Sequence, residues 1–152
     1  MTHGELAQKN FEEGCNCAQA VFLAFSDLTG LDEATAMKLS ASFGGGMGKL
    51  REVCGAVSGM FMAAGMLLAD GQIPSQEAKA AHYERIRTLA ARFKEENGSY
   101  ICRELLAQVP TSKDPAPEER TAQYYSRRPC AELCRCAAEL LDQLLQEQGK
   151  GA

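Results

Sequence analysis

The sequence has no excess of basic residues, no export signal, no CxxC or CxxCH element and only two histidines, and each shortage removes a class of function. With 16 basic residues against 20 acidic ones the net charge is −4, so no cationic surplus exists to neutralise a phosphate backbone. Nucleic acid is therefore not expected as a partner. The opening MTHGELAQKNFEEG has neither the basic start nor the apolar run of a secretory signal, which points to a cytoplasmic, reducing location. Without CxxCH there is no covalent haem attachment, and without CxxC there is no adjacent redox pair. His3 and His82 both read as solvated surface, and neither has a partner histidine, so a cysteine hydrolase would lack its general base. Strand alternation and internal repeats are also missing.

What is abundant is cysteine. Seven occur in 152 residues, an odd number that cannot all pair, in a chain expected to stay in a reducing compartment. A disulfide framework explains them poorly, whereas metal binding or thiol chemistry explains them well. The alternative is that they serve as small core hydrophobes. Length and an apolar content of 45% fit one soluble domain, 1–152. The uncharged stretch from Cys54 to Ala69 is the most apolar part of the chain. It is too short to span a bilayer and carries Gly55, Gly59 and Gly65, so it is expected to be a helix buried in the middle of a bundle, with no membrane insertion.

Periodicity and capping signals predict an all-α bundle of about five or six helices. Thr2 and Glu5 have capping-box spacing, and Phe11, Val21, Phe22 and Phe25 continue a helix to about Leu28, kinked at Gly14 and stopped at Gly30. Asp32 caps a second helix, Glu33 to Ser42, which ends in the loop Phe43 to Gly48. The buried third helix runs from about Val53 to near Gly71. Pro74 and Ser75 start a fourth, Gln76 to about Asn97, with Tyr83, Ile86, Leu89, Ala90 and Phe93 as its apolar stripe. Ser99 caps a short fifth through Cys102 and Leu106. Residues 109–128, with Pro110, Pro115 and Pro117, read as an ordered loop or flap, and Pro129 opens a last helix to about Gln148.

On this map Cys17, Cys54, Cys102 and Cys130 lie on four different helices, which rules against a zinc finger built on closely spaced pairs and suits a site assembled from facing helices. Residues two apart on a helix face different ways, so Cys15 and Cys17 cannot share a site, nor can Cys134 and Cys136; Cys130 and Cys134, four apart, can. The surroundings of Cys17 place it in the core and leave Cys15 beside the kink. Cys54, Cys102 and Cys130 fall at helix starts, where partial positive charge favours thiolate, and Arg103, Arg127 and Arg128 could add to this. Gly55 and Gly59, four apart, let another backbone approach, which serves packing and, compatibly, contact with a cofactor. The loop Gly44 to Gly48 is a weak nucleotide motif, since no Ser or Thr follows Lys49. It reads better as a wall or anion nest near Cys54.

Cys54-Gly55-Ala56-Val57-Ser58-Gly59, together with Gly14 to Val21, Phe43 to Gly48, Gly98-Ser99 before Cys102, and Cys130, resembles the C_GCAxxG_C_C family of redox-active proteins. The resemblance implies a small helical protein with four hallmark cysteines at Cys17, Cys54, Cys102 and Cys130, and Cys15, Cys134 and Cys136 as extras. It also implies a prokaryotic setting near transport loci, hence a redox partner or transporter component as partner. Three functions follow as expectations. The hallmark thiolates hold an iron–sulfur cluster or, second, zinc; or they act without metal as a thiol–disulfide oxidoreductase; or the protein is a non-enzymatic accessory with cysteines in its core.

Overall fold

The computed structural model describes residues 1–149, and these form an all-α domain. The first long helix of the sequence reading is in fact three: α1 (His3–Glu12), α2 (Cys17–Ala24) and α3 (Ser26–Thr29). Thr2 caps α1 in the expected box with Glu5. The chain then turns at Gly14, whose φ of 115° suits glycine, and restarts at Asn16. Asn16 forms a second capping box with Gln19, so Cys17 becomes the first residue of a new helix. Gly30 ends α3 in the left-handed conformation.

Helix α4 (Glu33–Ser40), capped by Asp32, passes through a 3₁₀ turn at Ala41–Phe43 into the single turn α5 (Gly44–Met47). The glycine segment is therefore a tight, wound wall, with Gly45, Gly46 and Gly48 all at positive φ. A β-carbon at Gly46 would stand 2.7 Å from Cβ of Cys102 and 2.8 Å from Cα of Arg51, so only glycine fits there. Helix α6 (Gly55–Leu68) follows, shorter than expected at both ends. Its first half is buried on all sides, but its second half reaches solvent, with Met66 47% exposed.

Helix α7 (Gln76–Asn97) has the expected bounds, Ser75 cap and Gly98 stop. Leu89 and Phe93 are its buried residues, whereas Tyr83 is 59% exposed and does not belong to the stripe. Ser99 accepts from the Ile101 amide ahead of α8 (Cys102–Leu105) instead of capping the helix itself, and Ile101 bridges to Val53. Residues 109–121 form the flap, but the region expected to be loop as far as 128 includes a helix, α9 (Ala122–Arg127), capped by Thr121. Helix α10 (Cys130–Glu147) begins directly after Pro129.

The core forms where α1, α2, α6, α7 and α10 meet. Helix α2 packs on α1 and α6, while α10 lies across α1, α6 and α7. Phe11, Phe22, Phe25, Leu89, Phe93, Leu141 and Leu145 are essentially inaccessible, each worth ~1.5–3 kcal/mol of burial. Among the described residues no helix is long and apolar enough to cross a membrane.

His3 departs from its expected place on a solvated terminus. Its ring stacks on Phe25 with centroids 4.2 Å apart, and its nitrogens meet Asp142 at 2.7 Å and Asp27 at 2.9 Å, tying α1 to α10 and α3. Burial lowers its pKa, but the two carboxylates outweigh that and raise it above 6.5. Protonated His3 is thus favoured in the folded state. Its contribution is fully present below pH 6.5 and fades as pH rises through the folded value. The stability difference between the native protein and His3→Gln, followed by urea unfolding, should be largest near pH 6 and should shrink above neutrality. His82 is also not free surface: it is half-buried, with Nδ1 unpaired.

Candidate functional site

The four cysteines singled out from the sequence stand at four helix starts. Cys17, Cys102 and Cys130 are the first residues of α2, α8 and α10, and Cys54 occupies the position just before α6. All four line one cavity of about 260 Å³. The glycine wall of α5 forms one side, Phe11, Leu105, Leu106 and Leu133 supply apolar surface, and Pro115, Pro117 and Glu118 of the flap cover it.

Glycine sets how close the helices come. At Gly55 a β-carbon would lie 3.0 Å from Cβ of Cys17 and from the Phe43 carbonyl oxygen, and at Gly59 one would lie 2.6 Å from the Ala18 carbonyl oxygen. Both glycines therefore seat α6 on α2. Gly55 also lines the cavity, whereas Gly59 lies on the packing face alone.

Cys17 and Cys130 line the same cavity, and each thiol perturbs the other. Cys134 is fully buried and donates to the Cys17 carbonyl at 3.8 Å, so it backs the cluster from one turn further along α10. Sequence reasoning treated it as an extra, although its spacing of four from Cys130 was the signal of a shared face. Cys15 and Cys136 point elsewhere, to Met37 and to Glu96 with Asn97. All seven cysteines are free thiols, and none is within disulfide distance of another.

The cations differ from those expected. Arg103 and Arg127 are exposed, and Arg103 pairs with Glu52. The residue that reaches Cys102 is Arg51, 3.6 Å from the sulfur, and Arg128 lines the cavity alongside Cys130. Lys49 and Arg120 complete a set of four cations around the cavity. Arg120 is already engaged, donating to the carbonyls of Phe11 and Cys15 at 3.0 Å while stacked on Phe11 and Tyr124. Arg51 could have been suspected only from its closeness in sequence to Cys54.

The expected preference for thiolate is overturned, because burial exceeds the effect of the helix starts. Burial pushes Cys54 up to about 12, against the cap amides of Val57 and Ala56. Burial also raises Cys102 although Arg51 opposes it. The interaction with Cys130 pulls Cys17 down, but the interaction with Cys134 and burial leave it well above an ordinary thiol. Cys130 is raised by its interaction with Cys17 and by burial. Burial thus favours the protonated form of the free thiols. As free nucleophiles they are weak, and anything that binds them as thiolates must release their protons.

A family model described as "Putative redox-active protein (C_GCAxxG_C_C)" matches residues 15–144. No curated protein and no solved structure matches the chain.

Proposed function

The chain belongs to the C_GCAxxG_C_C redox-active family, and from that premise we propose that Cys17, Cys54, Cys102 and Cys130 together hold an iron–sulfur cluster used for electron transfer or redox sensing. The observation that carries this reading is the gathering of four thiols from four helices around one cavity, with no imidazole among its lining residues. The donor type fits a cluster. Among the described residues no three His, Cys, Asp or Glu side chains stand close enough to share one metal ion, so the four sulfurs would have to draw together around any shared centre. A bound cluster would supply one-electron redox chemistry.

The chain's own groups would do the rest. Four thiolates bring negative charge, and the helix starts, Arg51 and Arg128 offset it. Phe11, Leu105, Leu106, Leu133 and the flap limit water around the sulfurs.

Protein purified and kept without oxygen is the test. Iron and acid-labile sulfide should appear in equal molar amounts. Their absence from protein never exposed to air would reject the cluster.

One observation favours a second reading. Cys17 and Cys130 line the same cavity and perturb one another more than any other thiol does, which makes these two the pair for metal-free exchange, giving two electrons and two protons to an external disulfide as they join. Peptide mapping after redox titration would then find that single pair in protein lacking iron.

A further inference from the structure

Glu118 is the only acidic side chain among the described residues lining the cavity, facing four cations in a protein of net charge −4. Its carboxylate lies 2.5 Å from Arg128, 3.7 Å from Arg51 and 4.0 Å from Lys49, and it accepts the Ser112 amide at 3.0 Å. Lys49 also donates to the Ala116 carbonyl at 2.6 Å. The side chain of Arg128 is only 5% exposed. Arg51 thus has a double attachment, spanning Glu118 and the Cys102 sulfur, while Arg128 pairs with Glu118 in the cavity lining that also holds Cys130.

We propose that Lys49, Arg51 and Arg128 form an oxyanion subsite beside the cavity sulfurs, and that the flap's Glu118 fills it as an internal stand-in for the anionic end of a small ligand. Three physical points support this. A buried guanidinium needs an anionic partner, and Glu118 is the partner the flap supplies. The carboxylate itself demonstrates the ligand chemistry the cations accept, planar or tetrahedral oxygen anions held by charge-assisted hydrogen bonds. Cations concentrated in a concave, partly apolar pocket also draw in anions more strongly than the same charges on an open surface. An entering carboxylate or tetrahedral oxyanion competes with Glu118, releases the Ser112 and Lys49 latches, and leaves the rest of the ligand next to Cys102 and Cys130.

This deepens the redox reading by naming the class of small molecule that reaches the thiols, and the two can fail separately. Anion binding is read on protein with all its cysteines in place, while the cluster is read by iron and sulfide. The experiment is calorimetric titration with sulfate, and in a second arm with acetate, at ionic strength held constant with chloride, together with amide exchange at Ser112. Binding should be saturable, Ser112 exchange should speed up as sulfate binds, and Glu118→Gln should bind about tenfold more tightly because the competing carboxylate is gone. Arg128→Met should weaken binding at least tenfold, and Arg51→Met serves if that variant does not fold. The stronger arm identifies the tetrahedral or the carboxylate form. No saturable binding in Glu118→Gln, equal affinity in wild type and Glu118→Gln, or binding unchanged by both arginine substitutions would overturn the proposal.

Discussion

Cys54→Ser should fold normally and yet lose at least tenfold of the iron and sulfide carried by the anaerobic wild-type protein. Cys54 is central to the thiol set, since charge on Cys17, Cys102 or Cys130 is felt there or by them. The substitution exchanges one sulfur for one oxygen. Its backbone amide keeps its bond to the Tyr100 carbonyl at 2.9 Å, so the entry into α6 is unaffected. A hydroxyl retains its proton far more firmly than a thiol and is a harder donor, so a soft metal centre loses a ligand while packing changes little. Circular dichroism separates the outcomes. Unchanged iron with unchanged helicity would remove Cys54 from the ligand set.

Gly59→Ala should produce a large loss of stability from a single methyl group. Its β-carbon would sit 2.6 Å from the Ala18 carbonyl oxygen and 3.1 Å from Cβ of Val21. The first of these is backbone within a capped helix, so it cannot swing aside, and α6 must lift from α2. Overpacking of this kind costs about 1–3 kcal/mol, occasionally more. That corresponds to a fall in Tm of roughly 3–12 °C for a chain of this size. Because the displaced helices carry Cys17 and Cys54, cluster loading should drop with it. Gly65→Ala is the internal control: nothing lies within 4 Å of its β-carbon, and alanine improves helix propensity by about 1 kcal/mol. Thermal unfolding should move the two variants in opposite directions, and a Gly59→Ala protein as stable as wild type would contradict the packing described.

These two glycines also show what a sequence can and cannot convey. The spacing of Gly55 and Gly59 announced a close helix approach, and the partner turned out to be α2. Helix α7 was legible nearly to the residue, because Ser75 and Gly98 are strong local signals. The break before Cys17 was not, although Asn16 and Gln19 spelled a capping box, because the apolar residues on either side continued the same periodicity. His3 was misplaced for another reason: its partners Asp27 and Asp142 are distant along the chain.

In the site, four cysteines could be chosen beforehand because apolar neighbours marked Cys17, helix starts marked Cys54, Cys102 and Cys130, and the same four match the family hallmark, although Cys15 lies in the turn before α2 and not on a shared helix. Their protonation could not. Helix starts are visible in a sequence, while the desolvation that outweighs them depends on the finished core. Arg51 and Glu118 were invisible for a similar reason, since Arg51 meets the Cys102 sulfur and Glu118 meets Arg128 only when the wound glycine turn and the flap come together at the cavity.

The sharpest measurement is a parallel assay of iron and sulfide in anaerobically prepared single serine variants of the cysteines. If one shared centre draws a sulfur from each of four helices, replacing Cys17, Cys54, Cys102 or Cys130 should each deplete it, whereas Cys15→Ser and Cys136→Ser should retain it in full. Metal that survives every hallmark replacement, or that disappears equally with the two control replacements, would contradict the account.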